Sequence, residues 1–375
     1  MPQAGNPALI DRIKRKIVAE GGAISFAEYM EMCLYDTDFG YYTNDDRKVG
    51  KEGDFYTSAY IGGAMGWTLA AFAAEQFGRL NVKGKSGNLV LAEWGGGDGR
   101  LAKSVLDTLA AEYPDIYERV RFVSIESSPF HRSLQQEQLA GHASRIEAVL
   151  HPGDERLNRL LSVGNTVLYA NELLDALPVH RLRKVKGELK EIYVVWEEER
   201  ETFGERLLPV QERVTRMLER LNIRLKEGQT AELNLNAAEW VASLGGLISS
   251  GAAALIDYGD VTEELYGSHR MNGTFMCYRR HAAHDNPYVW VGEQDLTAHV
   301  DFGMCRMAAE DAGFSDIRLR SQKQFLVDYG ILNRLLPHDG ADPFSPEAKN
   351  NRAIRQLLLS DGMSELFKVL TIRKE

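Results

Sequence analysis

The sequence predicts an α/β protein built on a doubly wound sheet, mostly parallel with an antiparallel C-terminal strand. Two observations carry that expectation. Short apolar runs alternate with segments whose apolar residues recur at helical spacing, the pattern of successive strand and helix units. One such run, LVLAE at 89–93, ends in a turn of alternating glycines, WGGGDGR, that opens directly into a helical stretch. A length of 375 residues suits one large domain with insertions, or two ordinary ones.

Taken in order, Leu9, Ile13 and Ile17, then Phe26, Tyr29, Met30 and Cys33, predict two helices within 7–35. The stretch EGGAIS separates them, and Ser25 is placed to cap the second. Residues 36–58 are rich in Gly, Asp and Tyr without periodicity, and so long an irregular segment points to function. A helix is expected over 61–77. Strands are then expected at 89–93, 121–126, 146–150, 166–171 and 252–259, with helices over 100–112 and 129–140. The long interruption before 252 contains KEIYVVWEEER, which alternates as an antiparallel strand does, and helices over 210–225 and 236–249. SDIRLRSQ and LFKVLTIRK read as two closing strands. The expected organisation is a helical lid segment over 1–80, a core of 81–184 with 250–375, and an insertion over 185–249 at the sheet's carboxyl edge.

Composition narrows the function classes. A net charge of −10 weighs against broad nucleic-acid binding and suits a basic protein or peptide partner. No run approaches the roughly 18 apolar residues of a membrane span, so no membrane insertion is expected. Cys33, Cys277 and Cys305 are too few and too far apart for a disulfide framework. The N-terminal stretch loosely resembles an organelle presequence, but Asp11 and Glu20 argue against one, and the expected location is cytoplasmic.

The glycine turn decides the chemistry. A phosphate-cradling P-loop needs GxxxxGK[ST], which is absent. A dinucleotide turn needs GxGxxG, whereas here Gly95, Gly97 and Gly99 alternate and Arg100 stands at the sixth position. Glu93 and Asp98 also put negative charge where a pyrophosphate would lie. S-adenosylmethionine carries no phosphate but does carry a sulfonium and an ammonium, and it fits an acidic residue followed by alternating glycines. Glycines admit a ligand to bare main chain, Glu93 can meet the ammonium, and Glu126 at the end of the next strand can accept from both ribose hydroxyls. Asp154, after the third strand, is a candidate partner for the adenine amino group. Such a turn can be packing alone; Glu93, the three glycines and Glu126 together weigh against that.

In this light the chain resembles the MidA-like methyltransferases, a family related to a mitochondrial complex I assembly factor with protein-arginine methyltransferase activity. ISFAEYMEMCLYDTDFGYYT, GKEGDFYTS, LAEWGGGDGRLA, ANELLDALPVH, ALIDYGD, GTFMCYRRH, GEQDLTAHVDF and the closing GMSELFKVLTIRK carry the resemblance, in order, over most of the chain. Gly96 departs from the family's usual proline. The resemblance implies a class I, Rossmann-like methyltransferase fold. It places Glu93, Gly95, Gly97, Gly99 and Glu126 on the cofactor, and Gly53 and Asp54, with Thr57 and Ser58, across the cofactor mouth. It also implies a protein or peptide acceptor bearing arginine, such as a respiratory-complex subunit.

Asn171, Glu172 and Asp175 stand just past the fourth strand, where open α/β sheets bind ligands. Asn171 counts with the cofactor-facing groups. Glu172 and Asp175 could grip a guanidinium, orient one nitrogen and accept its proton. Equally, Asp175 could cap a turn and Glu172 pair with Arg181 or Arg183. Asp295, His299 and Asp301 either line the site or cap a helix starting near Thr297. His180 and His299 read as structural. His281 and His284 lack the further ligands a zinc site needs, and no metal is expected. The competing readings are a small-molecule acceptor, an assembly protein with a vestigial cofactor site, and a nicotinamide-dependent oxidoreductase.

Overall fold

The computed structural model describes residues 5–43, 63–80, 89–162, 164–337, 342–359 and 363–375. The N-terminal part contains α1 (Pro7–Ala19), β1 (Ile24–Ser25), α2 (Phe26–Tyr35) and α3 (Ala64–Arg79). Next come β2 (Leu89–Trp94), α4 (Arg100–Glu112), α5 (Pro114–Tyr117), β3 (Val120–Ile125), α6 (Pro129–Gln138), β4 (Ile146–Leu150), α7 (Arg156–Ser162) and β5 (Asn165–Asn171). The middle holds β6 (His180–Val185), β7 (Glu188–Glu197), β8 (Thr202–Pro209), α8 (Glu212–Arg220), β9 (Thr230–Leu233) and α9 (Leu235–Leu247). The chain then forms β10 (Ser250–Asp260), α10 (Thr262–Leu265), β11 (Met276–Arg279), β12 (Ala282–His284), β13 (Asp295–Thr297) and β14 (Val300–Asp301). It closes with α11 (Phe302–Asp311), β15 (Asp316–Ser321), α12 (Gln322–Asp328), α13 (Pro346–Leu359), α14 (Met363–Leu366) and β16 (Phe367–Lys374).

The central sheet has the order β15-β16-β10-β5-β2-β3-β4. Its strands β2, β3, β4, β5 and β10 are parallel, and β16 runs antiparallel between β10 and β15. This is the doubly wound sheet expected from the alternation. Both faces are covered, which is why the strands read as continuous apolar runs. Leu89, Leu91, Val167, Tyr169, Ala254 and Ile256 pack on the side of α3 and α4. Val90, Ala92, Leu168, Ala253 and Leu255 pack with residues of α9 and α11 on the other. The N-terminal helices form as expected: Ser25 caps α2 in a full capping box with Glu28.

A second, antiparallel sheet has the order β1-β7-β6-β9, with β8 also paired to β7. Of these strands only β7 stands out in the sequence, because β1 and β9 are very short and β6 (HRLRKV) and β8 (TFGERLLP) hold few apolar residues. The helix expected over 210–225 is shorter, ending at Arg220. There Asn222 takes φ +52 and the Ile223 amide closes on Leu218 O at 2.9 Å, a helix-stop geometry. The loop expected around YRRHAAHDNP is a hairpin of β11 and β12, turned at Arg280 (φ +49) and His281 (φ +63). Two positive φ values make a tight hairpin turn, usually announced by Asn-Gly, so the sequence gives no sign of it.

Arg181 ties the N-terminal segment to this second sheet. Its guanidinium lies 5.0 Å from the ring centres of both Phe26 and Phe275, and it pairs with Glu205 (3.3 Å) and Glu232 (3.5 Å). Replacement by alanine leaves the buried Glu232 carboxylate without its cation. Arg181→Ala is therefore expected to cost about 3 kcal/mol in chemical denaturation. A loss below about 0.5 kcal/mol would assign the cluster no role in stability.

Candidate functional site

The glycine turn leaves β2 at the carboxyl edge of the sheet. Gly95, Gly97 and Gly99 all take positive φ (+76, +51 and +84), so the alternation is first a backbone requirement. Their surroundings differ. A Cβ at Gly95 would lie 3.0 Å from Leu173 Cδ1, and one at Gly99 would lie 3.0 Å from Gln135 Cγ. At Gly97 nothing among the described residues lies within 4 Å. Gly97 is therefore where a ligand can rest on main chain, while Gly95 and Gly99 shape the turn.

Glu126, just past β3, is buried and holds the turn in place. Its Oε2 accepts from the Gly97 amide at 2.9 Å and its Oε1 from the Ser128 amide at 2.8 Å. Gln135 of α6 donates to Gly97 O at 2.8 Å, so both polar groups of that peptide are fixed. No sequence signal marks Gln135. Glu93 is only 2 % exposed, and its Oε2 makes no hydrogen bond among the described residues. Burial pushes its pKa well above the usual carboxylate range, and Glu126 and Asp98 add to the shift. A buried, unsatisfied carboxylate oxygen is costly unless a cation or proton meets it. A side chain at Gly96 would run into that same oxygen, so glycine there leaves the room Glu93 occupies.

Asp154 is turned toward its neighbour. It accepts from the Arg156 backbone at 2.9 Å and pairs with its guanidinium at 2.8 Å, which lowers the Asp154 pKa to about 2. Asp54, with Gly53, Thr57 and Ser58, lies outside the described residues. Asn171 ends β5 and donates to Glu172 Oε1 at 3.0 Å.

Beside the turn, a second group of acids gathers. Glu172 has φ +54, an uncommon value for a residue with a side chain and one that draws attention to a site. The segment that follows is a turn rather than a helix. Arg181 and Arg183 pair with Glu205, so neither takes up Glu172 in the way the structural alternative required. Asp175 is buried, and burial together with Asp257, Asp295 and Glu172 raises its pKa well above normal. Asp257, at the end of β10, is fully buried and raised to about 7 by burial and then by Glu172. Asp295 accepts from the Tyr42 hydroxyl at 2.9 Å. Tyr35 and Tyr42 stack at 5.5 Å, bringing aromatic surface from the N-terminal segment to the acids. Asp257 was missed because it sits inside an apolar strand, where LIDYG reads as core.

The remaining candidates are structural. Asp301 caps α11, accepting from Met304 N at 3.0 Å and Thr262 Oγ1 at 2.7 Å, so the helix begins at Phe302 and not near Thr297. His299 is pushed down to about 4, chiefly by burial. His180 Nδ1 lies 2.7 Å from Glu191 and its Nε2 lies 2.8 Å from an Arg213 nitrogen. Guanidinium only donates, so the ring proton sits on Nδ1. His281 lies in the hairpin turn, and His284 packs edge-on against Trp290. Among the described residues no group of three or more His, Cys, Asp or Glu could hold a metal ion.

A family model described as "Putative S-adenosyl-L-methionine-dependent methyltransferase" matches residues 68–318, more than half of the chain. The chain belongs to that family. This methyltransferase is 29% identical, with a TM-score of 0.86, to a superfamily member from Burkholderia thailandensis bound to S-adenosyl-homocysteine, covering 100% of this chain and 95% of that one. It is 27% identical to the protein arginine methyltransferase NDUFAF7, mitochondrial, of Danio rerio, over 98% of this chain and 87% of that protein. It is 29% identical to the NDUFAF7 homolog, mitochondrial, of Drosophila melanogaster, over 83% of this chain and 72% of that protein. The cofactor is S-adenosylmethionine, and the open main chain at Gly97 with the unsatisfied Glu93 oxygen fits a donor carrying positive charge and no phosphate.

The relatives correct one expectation. They are named mitochondrial, and a cytoplasmic location is not supported. Asp11 and Glu20, which had argued against targeting, belong to a folded element. Asp11 pairs with Arg15 along α1, and Glu20 is that helix's C-cap. Their charge serves the fold and says nothing about address. Among the described residues no helix is long and apolar enough to cross a membrane.

Gly97→Val would fill the opening and force a branched residue to φ +51. Calorimetric titration with S-adenosylhomocysteine is expected to lose its heat while thermal unfolding stays cooperative; retained binding would contradict the assigned opening. A second expectation concerns pH. The folded protein holds the Asp257 proton at about 7, against 3.8 for the ordinary group. This residue's contribution to stability therefore falls as pH rises from about 4 to about 7 and is flat above. In paired denaturation series, Asp257→Asn should gain on wild type across that window, and a constant difference would contradict the assignment.

Proposed function

We propose that this methyltransferase acts on an arginine side chain of a protein. The carrying observation is the set of buried acids Asp175, Asp257 and Asp295, together with Glu172, on separate segments at the carboxyl edge, faced by Tyr35 and Tyr42. An acidic wall suits a cationic acceptor, and an aromatic face suits a planar one. The names of the curated relatives, protein arginine methyltransferases, support the same acceptor. The resemblance to a complex I assembly factor further favours a respiratory-complex subunit as its source.

In this reading Glu93, Glu126 and the main chain at Gly97 hold the cofactor, in a turn that Gly95 and Gly99 shape, with Asn171 at its margin. Asp154, engaged by Arg156, is left as a peripheral contact at most. When bound, S-adenosylmethionine supplies an electrophilic methyl group on its sulfonium. Glu172 and Asp175 grip the guanidinium and orient one nitrogen toward the turn. A nitrogen so held would take the methyl group with S-adenosylhomocysteine as leaving group, and would then shed a proton. A carboxylate with a raised pKa is a better acceptor for this proton than an ordinary one. Asp175, buried and raised, meets that need.

Transfer of labelled methyl groups into extract protein tests the reading. Glu172→Gln and Asp175→Asn are each expected to lower arginine labelling by about 10²-fold or more while S-adenosylhomocysteine still binds. Label found only in small metabolites would overturn the arginine assignment.

A further inference from the structure

Residues 172–178 carry the acceptor carboxylates without regular structure, yet their main chain is clamped by side chains and backbone from several elements. Glu172 N donates to Ile256 O at 2.8 Å. Leu174 N and Asp175 N both donate to Asp257 Oδ2, at 2.7 and 3.2 Å. The carbonyls of Leu174 and Leu177 accept from Asn234 Nδ2 at 2.9 and 3.3 Å. Ala298 N donates to Asp175 O at 3.0 Å, Tyr35 Oη to Ala176 O at 3.1 Å, and Asn236 Nδ2 to Pro178 O at 2.9 Å. A buried irregular segment must have its polar groups satisfied. Here β10, the start of α9, the segment before β14 and α2 all do so, and each bond also fixes a position.

We propose that Asp257 and Asn234 are positioning residues, setting Glu172 and Asp175 through the main chain between them. The proposal rests on the acceptor reading above. Asp257 is suited to the task because an ionised carboxylate accepts at both oxygens. Its Oδ1 takes the Tyr258 amide at 2.8 Å while Oδ2 takes the two loop amides. An asparagine presents one acceptor and one donor, so it must abandon one side. Asn234 engages the carbonyls of the segment rather than its amides. Its Oδ1 accepts from Ala237 N at 2.8 Å, capping α9, which leaves Nδ2 for the loop carbonyls. An aspartate at 234 keeps the cap and loses the donor.

The experiment uses the full chain, with Asp257→Ala, which removes both acceptor oxygens, and Asn234→Asp measured beside wild type. Amide hydrogen exchange without acceptor reads the clamp itself. Leu174 and Asp175 are expected to exchange about tenfold faster or more in Asp257→Ala, with β10 and α9 still protected. Asn234→Asp is expected to lower kcat by about 10–100-fold, on whatever acceptor wild type labels in extract, with KM for S-adenosylmethionine within about twofold. Unchanged exchange at Leu174 and Asp175 would overturn the proposal. So would unchanged kcat in both variants, or a loss of protection spread evenly over the sheet, which marks a merely structural role. If wild type labels no arginine, the acceptor reading fails on its own, and exchange and kcat still decide the clamp.

Discussion

Strand β2 lies between β3 and β5, with Glu93 directly beside both Ser124 and Tyr169. From β2 the chain order runs outward in both directions, and at such a switch point the loops leaving adjacent strands part to open a crevice. The glycine turn leaves β2 on one side of it, and the segment after β5 leaves on the other. Leu173, from that segment, packs against Gly95. The glycine turn and the carboxylates of Glu172 and Asp175 are thus neighbours because their strands are neighbours, although about eighty residues of sequence separate them. Everything proposed for transfer between them depends on this adjacency.

The site is also where the molecule departs from ordinary burial. Glu93, Glu126, Asp175, Asp257 and Asp295 are all under a tenth exposed. Two solutions coexist. Glu126 and Asp257 are satisfied by main-chain amides, which hold a carboxylate in place and fix the loops that donate to it. Glu93 and Asp175 are instead pushed toward protonation by burial and by neighbouring acids, as Asp257 is too, though its amides oppose the shift. The sulfonium of the cofactor is a cation, and a cation placed beside such acids opposes the second effect.

The N-terminal segment links the parts. Helix α1 packs through Leu9, Ile13 and Ile17 into a core shared with Val194, Phe203 and Phe275. Arg12 anchors its far side to Asp36. Tyr35 then reaches Ala176 O, and Tyr42 reaches Asp295. The segment expected to form a helical lid thus brings two tyrosines to the buried acids. The same fact removed the basis for judging location from its charges.

By itself the sequence determined the central sheet. Strands buried on both faces announce themselves as apolar runs, and the glycines at 95, 97 and 99 mark a backbone that only glycine accepts readily. Glu93 and Glu126 were legible because each ends an apolar run with a charge. Tertiary structure decided the rest. The roles of the glycines divide according to Leu173 and Gln135, which come from other elements. Asp154 was drawn to Arg156, a local pairing that competes with any ligand. Asp257 and Asn234 carry no pattern, since their meaning lies in main-chain groups some sixty to eighty residues away. Local periodicity records which face a residue turns inward; it does not record which backbone group from a distant segment will be waiting there.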